Sequence, residues 1–207
     1  MFQRAIMQSL RVISSQNQDA EPSLHVSAEE KVRALKDEIN ALKTRILELE
    51  LQADTDPLLK IYNRRALMRE IERAQTVMSR YDILCSLIYL DLNGFKAVND
   101  RYGHAVGDVL LVKIAETLKS NVRDCDMVAR IGGDEFGVLL FKADELIAKA
   151  KASVLACRIA DMKLDVETGH VTITAAWGVS ACHPEDTPER ILNRADRAMY
   201  LAKAERP

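Results

Sequence analysis

Two adjacent carboxylates, Asp134 and Glu135, lie in a segment whose composition predicts a tight turn. Two glycines precede them, and apolar runs at residues 127–131 and 136–141 flank the turn. Glycine permits the positive φ values that hairpin turns need, and it leaves no side chain to obstruct a ligand. Carboxylates held side by side repel each other unless a cation binds them. The segment therefore predicts a β-hairpin whose tip binds a cation, and the alternative is an ordinary acidic turn.

A third carboxylate, Asp91, ends the apolar run 83–92, which predicts a buried strand. A side chain at this position emerges at the carboxyl edge of a sheet, where ligands commonly bind in α/β proteins. If this strand neighbours the hairpin, Asp91 lies near Asp134 and Glu135, and such hard oxygen ligands suit a Mg²⁺ ion that also holds phosphates. An EF-hand is excluded, because Lys96 occupies the position that requires glycine. The alternative is a structural aspartate at a strand end.

The composition of the chain excludes several classes of protein. Its 207 residues are 48% hydrophobic and 29% charged, with a net charge of −2, which predicts one medium globular domain plus an appendage. Without a basic excess there is no electrostatic case for duplex nucleic acid. No apolar run approaches the roughly 20 residues of a transmembrane segment. The four scattered cysteines lack the spacing of a zinc site or a disulfide framework, so we expect reduced thiols and a cytoplasmic location.

Residues 1–53 predict an appendage in two parts. Residues 1–26 are interpreted as an N-terminal amphipathic helix and a polar linker, with a membrane-surface anchor as the alternative for the helix. Residues 27–53 predict a dimerising coiled-coil stalk, because β-branched residues at a and leucines at d favour parallel dimers. The alternative is a single amphipathic helix that packs on the following domain. The a and d positions of the three heptads are Val32, Leu35, Ile39, Leu42, Ile46 and Leu49.

Residues 54–207 predict a single α/β (α+β) domain. The Asp56-Pro57 step ends the stalk helix, because a residue before proline is pushed out of the α region. Helices and strands that alternate around a hairpin indicate one central sheet with helices packed against it. The apolar periodicity predicts helices over 63–79, 106–120, 143–162 and 188–204, and strands over 83–92, 127–131, 136–141 and 171–180.

Residues 54–207 resemble the GGDEF-domain family, the diguanylate cyclases, which condense two GTP molecules into cyclic di-GMP and release pyrophosphate. The resemblance implies a mostly antiparallel central sheet flanked by helices, similar to the palm of nucleotidyl cyclases. It also implies a homodimer, since each protomer of the family supplies half of the active site. Five motifs carry the resemblance in order: Asp56-Pro57-Leu58 with Asn63-Arg64-Arg65, Asp91 to Asp100, Gly103-His104 with Gly107-Asp108, Gly132 to Phe136, and Ala195-Asp196 to Lys203.

The resemblance implies a metal site and a substrate site. Two Mg²⁺ ions, or Mn²⁺ in their place, would be held by Asp91, the Leu92 carbonyl, Asp134 and Glu135. Asp134 is also the candidate acceptor of the hydroxyl proton. The implied catalytic residues are Lys96, Asp134 and Glu135, and the implied substrate-binding residues are Phe95, Asn99, His104, Asp108 and Lys203.

Within the substrate site, Asn99 and Asp108 would hydrogen-bond guanine, which discriminates against adenine because the wrong base leaves polar groups unpaired. The lysines at 96 and 203 would neutralise phosphate charge, with solvated surface positions as the alternative. For His104, capping or packing of a helix is the alternative. The R-x-x-D sequence of Arg123 and Asp126 fits the family's inhibitory product site, with a surface salt bridge as the alternative.

The chain departs from the family pattern at three places. Leu59-Lys60-Ile61 replaces a usual Thr-Gly-Leu, Asn93 replaces a frequent aspartate, and Arg206 falls one position early for the family's phosphate contact. None of these is an implied metal ligand. The alternative functions are a non-catalytic receptor for GTP or cyclic di-GMP that signals through its coiled coil, and an adaptor whose N-terminal stalk binds a regulatory protein.

Overall fold

The computed structural model describes residues 28–166 and 169–204. The predictions for the N-terminal helix and linker, and for Arg206, therefore lie outside the described residues. The chain divides into two compact units, and the division falls between Leu49 and Glu50. None of the helices in the described parts of the chain combines the length and apolar character needed to cross a membrane.

The first helix, α1, runs from Ala28 to Asp54. It carries the six predicted heptad positions, whose side chains are between 48% and 56% exposed. A continuous apolar stripe of this length is unfavourable in water, and contact with another apolar surface would remove it from solvent. The helix is present as expected, and its pairing in a coiled coil stays a prediction.

The second unit is built on a five-stranded sheet with helices packed against it. In chain order, its elements are β1 (Tyr62–Asn63), α2 (Arg64–Tyr81), β2 (Cys85–Asn93), α3 (Phe95–Tyr102), α4 (His104–Ser120), β3 (Met127–Gly132), β4 (Glu135–Phe141), α5 (Glu145–Ala160), β5 (Leu164–Val166), β6 (Gly169–Val171), β7 (Thr174–Ala181) and α6 (Pro188–Ala204). The order of strands in the sheet is β1-β3-β4-β2-β7. The strand β1 pairs in parallel with β3, and the other pairs are antiparallel. A separate two-stranded hairpin consists of β5 and β6.

Helices cover both faces of the sheet. Because successive strand residues face opposite ways, Leu87 and Tyr89 of β2 pack with α2 and α6, while Ile88 and Leu90 pack with α4 and α5. Burial on both faces explains why β2 is a continuous apolar run in the sequence. Gly178 of β7 lets α6 approach closely, since a Cβ there would overlap the main chain of that helix.

The predicted fold class is confirmed, two local predictions need correction, and one helix was not predicted. The strand predicted over 171–180 is interrupted, so that β6 ends at Val171 and β7 begins at Thr174. The helix predicted from residue 106 begins at His104 and is preceded by α3, which was not predicted. This helix has only eight residues and lies between two glycines, Gly94 and Gly103, whose φ values are 78° and 84°. A segment so short and flanked by glycines has no clear helical pattern in the sequence.

Candidate active site

The predicted acidic residues meet where β2 pairs with β4. Asp91 and Glu135 are opposite each other in the antiparallel register. The backbone N–H of Leu92 donates a hydrogen bond to the carbonyl of Asp134, with an N–O distance of 3.3 Å. Residues directly opposite on one face of an antiparallel pair have Cβ atoms roughly 5 Å apart. The carboxylates of Asp91 and Glu135 therefore lie at the same end of the sheet, next to the main chain of Asp134.

The turn between β3 and β4 depends on its two glycines. Gly133 has a φ of 38°, and the strand register shifts between Arg130 and Gly132. A Cβ at Gly132 would lie 3.3 Å from Oε2 of Glu135 and would press on that carboxylate. The glycines thus permit the turn and leave room for the acidic side chain.

Arg130 fastens this turn to the loop that follows α1. Its Nε and Nη2 atoms donate to the carbonyl of Gly133 at 3.0 and 2.8 Å, and Nη1 donates to Oδ2 of Asp56 at 3.1 Å. The other oxygen of Asp56 accepts the backbone N–H groups of Leu58 and Leu59 at 3.0 and 2.8 Å. This role of Arg130 was not predicted from the sequence, because its two partners become neighbours only in the folded sheet.

A lysine from the last helix reaches the same edge. The Nζ atom of Lys203 in α6 lies 2.6 Å from Oδ1 of Asp91, with the two side chains 45% and 21% exposed. Lys203 was expected to contact phosphate, and here its ammonium group binds a candidate metal ligand. The contact shows that the carboxylate of Asp91 faces a position where positive charge is stabilised.

Tyr89 is a second residue at this site that was not predicted from the sequence. It lies two positions before Asp91 on the same face of β2 and is 5% exposed. Burial, and secondarily a hydrogen bond to the carboxylate of Glu135, raises the pKa of Tyr89 well above its usual range. The phenol therefore stays protonated, and it lies near the carboxylate of Glu135. The period-two alternation along β2 was the signal that could have found it.

The expected guanine-binding residues lie on α3 and α4. The Oδ1 atom of Asn99 is buried and has no hydrogen-bond partner among the residues that the structure describes. It occupies the space that a Cβ on Gly107 would take, so only glycine at 107 leaves this side chain in place. Asp108 follows Gly107 and is exposed. A buried acceptor without a partner is costly, and a ligand N–H group would satisfy it.

The other predicted substrate residues flank Asn99. Phe95 is partly buried against the core, and its Cζ atom lies 3.3 Å from a Cβ built on Gly107. Lys96 is exposed in the first turn of α3, and His104 is exposed at the first position of α4. The structure therefore brings Phe95 and Asn99 together at Gly107, and it leaves Lys96 and His104 open to solvent.

The donor types at the sheet edge fit a divalent cation. Aspartate and glutamate oxygens are the ligands that Mg²⁺ prefers, and the pairing of Asp91 with Glu135 gives two of them from adjacent strands. No three His, Cys, Asp or Glu side chains within residues 28–166 and 169–204 already converge to hold an ion. Lys203 supplies the compensating charge for Asp91 in this arrangement.

The family of the chain follows from its match to a family model. Residues 53–207, more than half of the chain, match the model described as diguanylate cyclase, GGDEF domain. The chain belongs to the GGDEF-domain family. The resemblance stated from the sequence motifs is thereby confirmed.

Sequence identity to individual proteins is consistent with membership of the GGDEF-domain family. The chain is 40% identical over 150 residues to a bifunctional diguanylate cyclase/cyclic di-GMP phosphodiesterase, MucR of Pseudomonas aeruginosa, covering 72% of this chain and 22% of that protein. It is 35% identical over 190 residues to diguanylate cyclase TpbB of the same species, covering 84% of this chain and 41% of that protein. The chain thus spans less than half the length of either relative.

A solved structure matches nearly the whole chain. Diguanylate cyclase SiaD of Pseudomonas aeruginosa, crystallised in complex with its activator SiaC, superposes with a TM-score of 0.73. The two chains are 29% identical, and the match covers 99% of this chain and 77% of the SiaD chain. The GGDEF fold, with the mostly antiparallel sheet described above, is common to both.

The expected inhibitory residues of this GGDEF domain lie in the turn before β3. Oδ2 of Asp126 accepts the backbone N–H of Arg123 at 3.1 Å, and Oδ1 accepts the backbone N–H of Phe141 at 3.1 Å. Arg123 is exposed, and both residues line a cavity of about 310 Å³. Asp126 therefore stabilises the turn, and the guanidinium group of Arg123 is accessible to a ligand.

Proposed function

We propose that this chain is a diguanylate cyclase, which joins two GTP molecules into cyclic di-GMP and releases pyrophosphate. The observation that carries the proposal is the register of Asp91 with Glu135 beside the Gly-Gly turn. This register gives a GGDEF domain the acidic sheet edge that phosphoryl transfer requires. The names of the relatives, which contain the same activity, support it.

The acidic edge would hold Mg²⁺, or Mn²⁺ in its place, through Asp91, the Leu92 carbonyl, Asp134 and Glu135. When bound, two such ions would lower the pKa of the attacking 3′-hydroxyl and stabilise charge on the phosphates. Tyr89 would hold Glu135 in position for this task. Asp134 is the proposed acceptor of the hydroxyl proton.

The chain's own side chains would bind and orient the nucleotide. The partnerless Oδ1 of Asn99 would accept an N–H group of guanine, and Asp108 would accept a second. Lys96, exposed in the first turn of α3, would neutralise phosphate charge. Lys203 would hold Asp91 in place and contact phosphate once the carboxylate has another cation to bind. Phe95 and His104 would line the nucleotide-binding segment.

We infer that activity requires a homodimer, since one chain binds one GTP and the reaction joins two. The half-exposed apolar stripe of α1 supports pairing of two copies through the coiled coil. Pairing would raise the effective concentration of one half-site for the other. The stalk would also be the surface for a regulatory protein; the related diguanylate cyclase SiaD was crystallised in complex with an activator protein.

We further infer that cyclic di-GMP inhibits the enzyme at Arg123 and Asp126. The planar guanidinium of Arg123 suits bidentate binding of phosphate or guanine. The four cysteines are free thiols in the structure, which suits the cytoplasmic location proposed for an enzyme that uses GTP.

The test is direct. Purified protein is incubated with GTP and Mg²⁺, and cyclic di-GMP and pyrophosphate are separated by chromatography. We expect both products from the wild type, and none from Asp134→Ala or Glu135→Ala. Wild-type protein that binds GTP or cyclic di-GMP but forms no product would show a receptor instead. Arg123→Ala should keep its early rate and lose the late inhibition.

A further inference from the structure

The cavity beside Arg123 has a second wall that the R-x-x-D motif does not include. This wall is the connecting loop, defined here as residues 55–61, which joins α1 to β1. The cavity has a volume of about 310 Å³, at the lower end of the roughly 300–1,000 Å³ typical of small-molecule sites. Three cationic side chains line it: Lys60, Lys119 and Arg123.

Lys60 has a backbone conformation that is unfavourable for any residue with a side chain. Its φ is 54°, in the left-handed region where glycine is the usual residue. Two backbone hydrogen bonds fix the loop, from Lys60 N–H to the Asp56 carbonyl at 3.0 Å and from Asp56 N–H to the Ile61 carbonyl at 2.8 Å. Lys60 also stands where the family pattern has glycine. Lys60 differs from Lys142, which has a similar φ of 51°, because Lys60 lines the cavity and Lys142 does not.

We propose that Lys60 and Lys119 bind a phosphate group of cyclic di-GMP in this cavity, so that the connecting loop forms part of the product site. This proposal rests on the proposed function and assigns to that site residues outside the R-x-x-D motif. The ammonium group of Lys60 comes from the connecting loop, and that of Lys119 from the end of α4. A phosphodiester between them would compensate both charges, and Arg123 would contribute its guanidinium from the neighbouring turn.

The remaining lining of the cavity suits a guanine base. Tyr62 is 43% exposed and offers an aromatic face on which a purine can stack. Ile61 and Val128 are apolar and buried, and they line the same cavity. The carboxylate of Asp124 is exposed and can accept guanine N–H groups, as can the free lone pairs of Asp126. The cationic, aromatic and carboxylate side chains of the cavity together suit a guanylate moiety, which carries a phosphate group and a guanine base.

Binding of this kind would connect two parts of the chain. A ligand held by both Lys60 and Arg123 bridges the connecting loop and the turn before β3. Because Asp56 of the same loop binds Arg130, the ligand would also stabilise the loop that fastens the catalytic turn. The product would then act on the catalytic edge through the loop as well as through Arg123.

The test compares two lysine-to-glycine variants. Lys60→Gly relieves the strained φ and removes the proposed phosphate contact. Lys142→Gly is the matched control, because Lys142 is exposed, has a φ of 51° and does not line the cavity. Both variants change the net charge equally. Calorimetric titration with purified cyclic di-GMP should give a Kd about tenfold weaker for Lys60→Gly and unchanged for Lys142→Gly. Both proteins should unfold in urea at or above the wild-type midpoint.

The outcomes separate this inference from the proposed function. Equal Kd values for Lys60→Gly and the wild type would overturn the inference, and so would a wild type that does not bind cyclic di-GMP. Weaker binding by Lys119→Gln would support it further. The titration does not depend on catalysis. Failure of the wild type to form product from GTP would overturn the cyclase proposal alone.

Discussion

Arg130 and Asp56, which are 74 positions apart in the chain, form an ion pair with an N–O distance of 3.1 Å. Their side chains are 19% and 14% exposed, so solvent screens the pair less than a surface ion pair. The same guanidinium binds the Gly133 carbonyl through two nitrogen atoms. One side chain thus joins the connecting loop to the residue before Asp134.

We expect Arg130→Lys to lower kcat at least tenfold while KM for GTP changes little. Lysine keeps the charge, but it cannot bind Asp56 and the Gly133 carbonyl in the same fork geometry. The catalytic turn would then be held less firmly, which affects the transition state more than binding. Steady-state kinetics at saturating Mg²⁺ measure the effect. Arg73→Lys is the control, since its partner Glu70 is a helix-surface contact at 3.6 Å. Equal kcat values for Arg130→Lys and the control would contradict the positioning role.

Gly107→Ala should raise KM for GTP about tenfold or more, because the added methyl group would displace Asn99. Loss of a buried hydrogen bond to the base is worth roughly 1–3 kcal/mol. A double-mutant cycle with Asn99→Ala tests the cause. Once the asparagine is absent, the extra methyl group should cost little more, so the two changes should be strongly non-additive. Additive losses of kcat/KM would show that Gly107 acts independently of Asn99.

Asp54 should make stability depend on pH in the acid range. Hydrogen bonds from Arg69, and less strongly from Arg65, outweigh burial and hold the pKa of the Asp54 carboxyl below its usual range. A lowered native pKa adds stability that is complete above the unfolded pKa, roughly 4, and is lost as pH falls through the native value. Asp54→Asn should therefore lower the free energy of unfolding by roughly 1–2 kcal/mol at pH 7, and the difference should shrink as the pH falls below about 4.

Urea denaturation between pH 2.5 and 7 measures that difference. Glu145→Gln is the control, because Glu145 pairs with Lys149 on an exposed helix surface. Such a pair contributes roughly 0.5 kcal/mol or less. A constant gap between Asp54→Asn and the wild type across this range would rule out the ionic origin of the effect.

Lysine substitutions in the apolar stripe of α1 should make activity depend steeply on dilution. Leu35→Lys with Leu42→Lys places charges at two d positions, which a coiled-coil interface cannot bury. We expect specific activity close to that of the wild type at high protein concentration and at least tenfold lower at low concentration. Leu146→Lys, at a 77% exposed position outside the stripe, is the control. Sedimentation equilibrium should report dissociation of the double variant alone; dilution curves that superpose would contradict dimerisation through α1.

Elements with strong local signals were predictable from the sequence. The last helix runs over Pro188–Ala204 in both prediction and structure, because proline suits its first turn and its apolar positions follow the helical period. The strand β2 was found from its apolar run, with bounds shifted by one or two residues. The helix α3 and the strand β1 were missed. The first is a short segment between glycines, and the second has two residues and is defined by its pairing with β3.

At the candidate site, too, local features were predictable from the sequence and long-range contacts were not. Residue types and motif order indicated the acidic residues and the proposed guanine-binding segment. In the structure, Asp91 lies opposite Glu135, and Asn99 packs against Gly107. Contacts between distant segments were not predictable. The ammonium group of Lys203 reaches Asp91 across 112 positions, and Tyr89 meets Glu135 only because β2 and β4 pair in one register. Local patterns carry no information on such contacts, since tertiary packing decides them.

Gly178 has a consequence for the evolution of this fold. The main chain of α6 lies directly against it, so any larger residue would force the helix outward whether or not the protein is active. Members that lose the acidic pair are free to drift at the catalytic turn, yet they would still require glycine at this place in β7. We therefore expect glycine to persist at this place even in GGDEF domains that have lost the acidic pair.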